Sequence, residues 1–134
     1  MIKYFPYLKK LQEVGEKTNK YADIFGEIGE RNISNIDGLK KKKEDYRLAN
    51  LGYKECKEEL ETLNPPSEIT REHKQIIEGY QSMVDGVYIL YSSFDLNTGT
   101  VDEHSIKLGM QKLSEAEVSV KHATDNIVKK IQSI

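Results

Sequence analysis

Three histidines and one cysteine are the side chains here with the most direct access to metal, acid–base or nucleophilic chemistry, and their neighbours decide whether that chemistry is assembled. Di-iron and di-manganese bundles draw a Glu-x-x-His pair from each of two helices. The residues three before His73, His104 and His122 are Thr70, Val101 and Ser119, so that ligand pattern is not present. Nor is a His-Glu-x-x-His, Cys-x-x-Cys, Gly-x-Gly-x-x-Gly or P-loop string, and the glycines stand singly instead of forming a phosphate cradle. Cys56 sits among Lys54, Glu55, Lys57 and Glu58 with no histidine to act as its base, and alone it cannot close an internal disulfide. It reads as a structural thiol. The expectation is a non-enzymatic chain with no catalytic residues, no metal and no cofactor.

Two polar groups remain that could bind something. His73 interrupts an apolar stripe between Ile69 and Ile76, so once buried its ring nitrogens need a tyrosine, a glutamate or a backbone carbonyl. The aromatic set is skewed, with eight tyrosines against three phenylalanines and no tryptophan. Tyr21, Tyr46, Tyr53 and Tyr80 fall on or beside apolar stripes, where each hydroxyl must reach water or an acceptor. One reading makes them core residues with hydroxyls at the rim. The other places a small ligand pocket between helices near His73 and Tyr80, with Tyr46 and Tyr53 contributing. His104 and His122 read as surface residues.

The elements that would position these groups are helices. Ile69, His73, Ile76, Tyr80, Met83, Val87, Leu90 and Phe94 alternate spacings of four and three, which lays one stripe along a helix, and Ile77, Val84 and Tyr91 widen it. Tyr4, Leu8, Leu11, Gly15, Thr18, Ala22 and Phe25 form a first seam flanked by Tyr7, Val14, Tyr21 and Ile28. Leu39, Lys42, Tyr46, Ala49, Tyr53, Cys56, Leu60 and Leu63 form a second, and Ile106, Leu113, Ala116, Val120, Ala123, Ile127 and Ile134, beside Met110 and Ile131, form the last.

The breaks have chemical causes. Asn64-Pro65-Pro66 removes two backbone donors and forces extended geometry before each proline, so the second helix stops near Leu63 and Ser67 is available to cap the third. Asp95 to Gly99 reads as a turn, and Thr100-Val101-Asp102-Glu103 has capping-box spacing, which starts the fourth helix just after Thr100. The first break falls near Asn32 to Asn35: starting at Ser34, with Asp37 three residues on, keeps Lys40 to Lys43 out of the positive first turn.

One domain over residues 1–134 follows, with helices near 3–31, 35–63, 67–94 and 101–133, each about 40 Å long. Short links between helices of matched length predict an all-α, antiparallel up-down-up-down four-helix bundle, the alternative being a three-helix bundle whose first two segments form one long bent helix. Gly15, Gly26, Gly29, Gly52, Gly79, Gly86 and Gly109 fall inside the helices, each at a cost of roughly 1 kcal/mol relative to alanine. Gly79 and Gly86 share a face, marked for close packing or for a partner.

Composition excludes several functions. The 20 basic and 22 acidic residues are mixed along the chain and nearly cancel, which argues against general affinity for nucleic acid. Lys40 to Lys43 point in all directions around a helix, lack interleaved aromatics and are followed by Glu44 and Asp45, so they read as a solvated charge run. No apolar run approaches the roughly 20 residues of a membrane span. The start has no apolar leader region, giving a cytoplasmic expectation as the sequence stands and the outer side of the envelope if a leader has been removed.

From Leu63-Asn64-Pro65-Pro66-Ser67-Glu68-Ile69, with His73, Ile76, Ile77 and Gly79-Tyr80 following, the second half of the chain resembles small helical-bundle, lipoprotein-like proteins of Gram-positive bacterial envelopes. In that group a Leu-x-Pro-Pro turn separates two long helices and a histidine follows in the next first turn. The resemblance implies a bundle fold and a non-enzymatic role without naming a ligand. The functional expectation is a protein–protein interaction or structural module with an unidentified protein partner. Apolar residues beyond a single seam, including Phe5, Tyr88 and Tyr91, add a weak homodimer through the outer edge of the third helix near Tyr88.

Overall fold

The computed structural model describes residues 4–30 and 36–133. They form α1 (Phe5–Glu30), α2 (Ile36–Glu61), α3 (Thr70–Ser92) and α4 (Glu103–Gln132), with a short 3-10 turn at Ser67–Ile69 and a two-stranded antiparallel ladder of β1 (Phe94–Asp95) and β2 (Thr100–Val101). Side-chain pairs fix the directions. Lys17 meets Glu59 and Tyr21 meets Gly52, Leu60 meets His73 and Lys43 meets Phe94, and Glu72 meets Lys130 while Gly86 meets Leu113. Residue numbers run in opposite senses in every sequential pair, so the helices go up, down, up and down. The bent-helix alternative fails, because α2 turns back along α1.

The helix approaches are unequal. α3 and α4 are packed most closely, then α2 and α3, then α1 and α2. Glycine explains the first: a Cβ on Gly109 would stand 3.0 Å from the Gly86 carbonyl oxygen and 2.8 Å from Leu90 Cδ2, and one on Gly86 would stand 3.1 Å from the Leu113 nitrogen. At this crossing the backbones touch, as only glycine permits. Gly79 likewise faces Val120, where a Cβ would come within 2.4 Å of a methyl. Of the face marked for close packing or a partner, Gly86 is packed against the α4 backbone, while Gly79 packs on Val120 and also borders the outer surface between α3 and α4. Gly15 differs, since nothing lies within 4 Å of a Cβ there. Gly15→Ala is expected to raise stability by about 1 kcal/mol through helix propensity alone, read as a higher denaturant midpoint.

The stripes of α2 and α3 sit as their spacing predicts, with Tyr46, Ala49, Tyr53, Cys56 and Leu60 facing Ile76, Tyr80, Met83, Val87 and Leu90 in one core. α1 is rotated from expectation: Tyr4, Tyr7 and Val14 are buried while Leu8, Leu11 and Gly15 are half-covered, because α2 and α3 lie on one flank of its broad apolar arc. The side chains of Ala22, Phe25 and Ile28 lie outside the described residues. In α4 the stripe is Gly109, Leu113, Ala116, Ala123, Ile127 and Ile131, which leaves Met110 exposed; Ile134 lies outside the described residues.

The junctions also differ. α2 ends at Glu61, and its start at Ile36 leaves Ser34 and the 32–35 break outside the described residues. Ser67 does not cap α3: it opens the 3-10 turn, and the helix proper begins at Thr70, after fully buried Ile69 anchors the chain. Thr100 and Val101 are drawn into the ladder opposite Asp95 and Phe94, so the cap of α4 falls two residues later, at Asp102. The Asp102 carboxylate accepts from the Ser105 amide at 3.2 Å and from its hydroxyl at 2.9 Å, bonds that hold it below the usual carboxylate range. Gly99, with φ of 68°, closes the turn between the strands.

Candidate functional site

His73 lies on the first turn of α3, facing the last turn of α2 and the beginning of α1. A carbonyl oxygen only accepts, so the 3.0 Å contact with the Leu60 oxygen places a proton on Nε2. The Nδ1 atom is then bare and accepts from the Tyr7 hydroxyl at 2.7 Å. The tautomer is fixed by its neighbours, and the ring is 5% exposed. Burial pulls its pKa below the ordinary histidine value, partly offset by the Leu60 bond. Beside it the Glu72 carboxylate meets Lys130 of α4 at 2.5 Å, a bond that outweighs desolvation and lowers its pKa. One polar cluster thus joins all four helices at the Pro65–Pro66 end.

Two turns further along α3, Tyr80 meets Thr18 at 2.5 Å. The Thr18 proton goes to the Val14 carbonyl, so Tyr80 is the donor. Burial pushes Tyr80 up to about 12. Tyr53 is fully buried, its ring edge-on to Tyr21 at 5.6 Å. Tyr46 stacks on Phe94 at the opposite end of the bundle and is also pushed up to about 12 by burial. The four residues expected to share a pocket are therefore spread along the core: Tyr53 and Tyr80 are neighbours, whereas His73 and Tyr46 mark opposite ends. His73 and Tyr80 bond within the protein. Cys56 is buried beside Thr18, and desolvation raises its pKa, as a structural thiol requires.

Lys40 and Lys41 are solvated, but Lys43 is not a free charge. Its Nζ donates to the Phe94 carbonyl at 2.7 Å and stands 4.6 Å from the centre of the Tyr91 ring, so it closes the carboxyl end of α3. Tyr91 in turn tilts against Tyr88, which is 59% exposed on the outer edge of α3.

A groove lies elsewhere, along the outer side of the α3–α4 seam, with a volume of about 660 Å³. Gly79 and Ala116 floor it, Glu78, Lys112, Glu115 and Gln75 wall it, and Leu108, 51% exposed, stands at one end. His122 lines it too. Reading stripes alone misses this groove, because its walls come from polar faces that carry no periodic signal. Among the described residues no three His, Cys, Asp or Glu side chains gather as a metal site would require, and no helix is long and apolar enough to cross a membrane. No family model, no curated protein and no solved structure matches this chain.

Proposed function

We propose that this protein is a non-catalytic helical-bundle module that works by binding another protein, with the outer α3–α4 groove as its contact surface. The observation that carries the reading is the make-up of that groove: a small-residue floor, charges of both signs on its walls and an exposed leucine at its end. Such a surface suits a peptide or helix that seats an apolar side chain and pairs its polar ones. A photo-crosslinker at Ser82 or Leu108 is expected to capture the same protein in the native host, and one at Lys54, on another face, is not. Turnover of a substrate abolished by a point mutation would overturn the reading.

Self-association is a second reading, favoured by the exposed Tyr88 beside Tyr91. Tyr88→Glu is expected to lower the solution mass at high concentration with helical circular dichroism unchanged. A wild-type chain that sediments as a monomer at that concentration removes this reading. A small-ligand site near His73 and Tyr80 has less support, since both side chains spend their polar atoms on Tyr7, Leu60 and Thr18.

A further inference from the structure

α1 is tied to α3 by two hydroxyl contacts, Tyr7 to His73 and Tyr80 to Thr18. The first depends on a bare Nδ1. When His73 takes up a proton, both ring nitrogens carry hydrogen; Nε2 keeps its bond to Leu60, while Nδ1–H and the Tyr7 O–H become two donors facing one another. The groups around the ring offer a cation little. Glu72, next along α3, already gives Oε1 to Lys130 of α4, and its Oε2 has no hydrogen-bond partner among the described residues. From α2 the ring meets the Leu60 carbonyl, which already accepts from it, and from α1 the Tyr7 phenol, held protonated by burial and by the nearby Glu72 charge.

We infer that α1 is a pH-released cover: protonation of His73 frees its amino-terminal half from α3 and opens the α2–α3 face beneath it, where Tyr53, Cys56 and Tyr80 lie. The sign is fixed by linkage. A histidine whose pKa is depressed on docking favours the docked state while neutral, so docking is fully supported above the ordinary histidine value and is lost as pH falls below it. Among the described residues α1 also has the least close packing of the sequential helix pairs, so it is the element that yields first. Undocking lets water reach the unpartnered Glu72 oxygen, which further favours release. This face lies apart from the α3–α4 groove, so the inference stands whether or not that groove binds a partner.

The test uses the intact chain at about pH 7.5 and about pH 5. Hydrogen exchange, corrected for intrinsic rates, is expected to accelerate at least about threefold in residues 5–21 while α4 amides stay protected. Alkylation of Cys56, normalised to the denatured chain, is expected to rise in parallel. In wild-type protein the midpoint of both changes should coincide with the His73 imidazole titration followed by NMR, which separates it from exposed His104 and His122. His73→Gln, which keeps an acceptor and a donor but does not titrate, should hold α1 docked at both pH values. Three results would each overturn the inference. One is equal loss of protection in α1 and α4. A second is unchanged α1 exchange through the His73 midpoint, meaning that Tyr7 has turned to hand its proton to Glu72. The third is a pH response that persists in a folded His73→Gln protein.

Discussion

Gly109→Leu is expected to cost about 3 kcal/mol or more, because the new side chain has nowhere to go. Even a bare Cβ there meets Leu90 Cγ at 2.9 Å and the Gly86 carbonyl oxygen at 3.0 Å, and the second contact is backbone, which cannot swing aside. The gain in helix propensity, about 1 kcal/mol, runs the other way and is outweighed. Chemical denaturation should show the midpoint falling. Adding Leu90→Ala should recover part of the loss, although that change alone removes core volume, since the two sites share one space and their effects do not add. A Gly109→Leu protein as stable as wild type would mean that α3 and α4 do not touch at this crossing.

Phe94→Ala is expected to lower stability by about 3–5 kcal/mol, the range for deleting a buried phenylalanine ring. The ring is 2% exposed, stacks on Tyr46 with centroids 5.7 Å apart, and belongs to the residue whose carbonyl receives Lys43. Its removal leaves a void under the ladder and loosens the link that sets the entry of α4. Phe94→Leu keeps most of the volume and should cost much less. If the alanine variant loses under 1 kcal/mol, the hairpin end is not part of the cooperative core.

Much of this molecule could be read from residue spacing, and the limits of that reading have physical causes. The α3 stripe from Ile69 to Phe94 emerged intact because a central helix, packed by α2 on one flank and α4 on the other, shows a broad and unbroken apolar arc. α1 is turned by part of a turn from the seam its spacing predicts, since an edge helix carries more apolar side chains than its neighbours cover and spacing alone does not show which flank is used. The α4 cap moved from Thr100 to Asp102 because a two-residue ladder, too short to leave a pattern, claimed the candidate cap. His73 could be picked out as a buried histidine in need of partners. Its particular partners could not, since Tyr7 is 66 residues away and is brought there only by the parallel course of α1 and α3. The groove fared worst: Glu78, Lys112 and Glu115 look like any solvated helix face until two helices place them on facing walls.

The ranking of helix approaches also bears on how the chain is made. Among the described residues the closest helix approaches are each to the next helix in order, so these contacts are local and the topology favours rapid folding. The tightest seam, however, joins the two helices that leave the ribosome after α1 and α2. While α1 and α2 are emerging, Tyr46, Tyr53 and Leu60 have no α3 to cover them, and the loosest pair must wait with its apolar faces bare. Stalled nascent chains should therefore remain protease-sensitive until α3 has cleared the exit tunnel, then become resistant in one late step as α4 locks against the glycines. Resistance acquired with α1 and α2 alone would show that the amino-terminal pair is the folding seed.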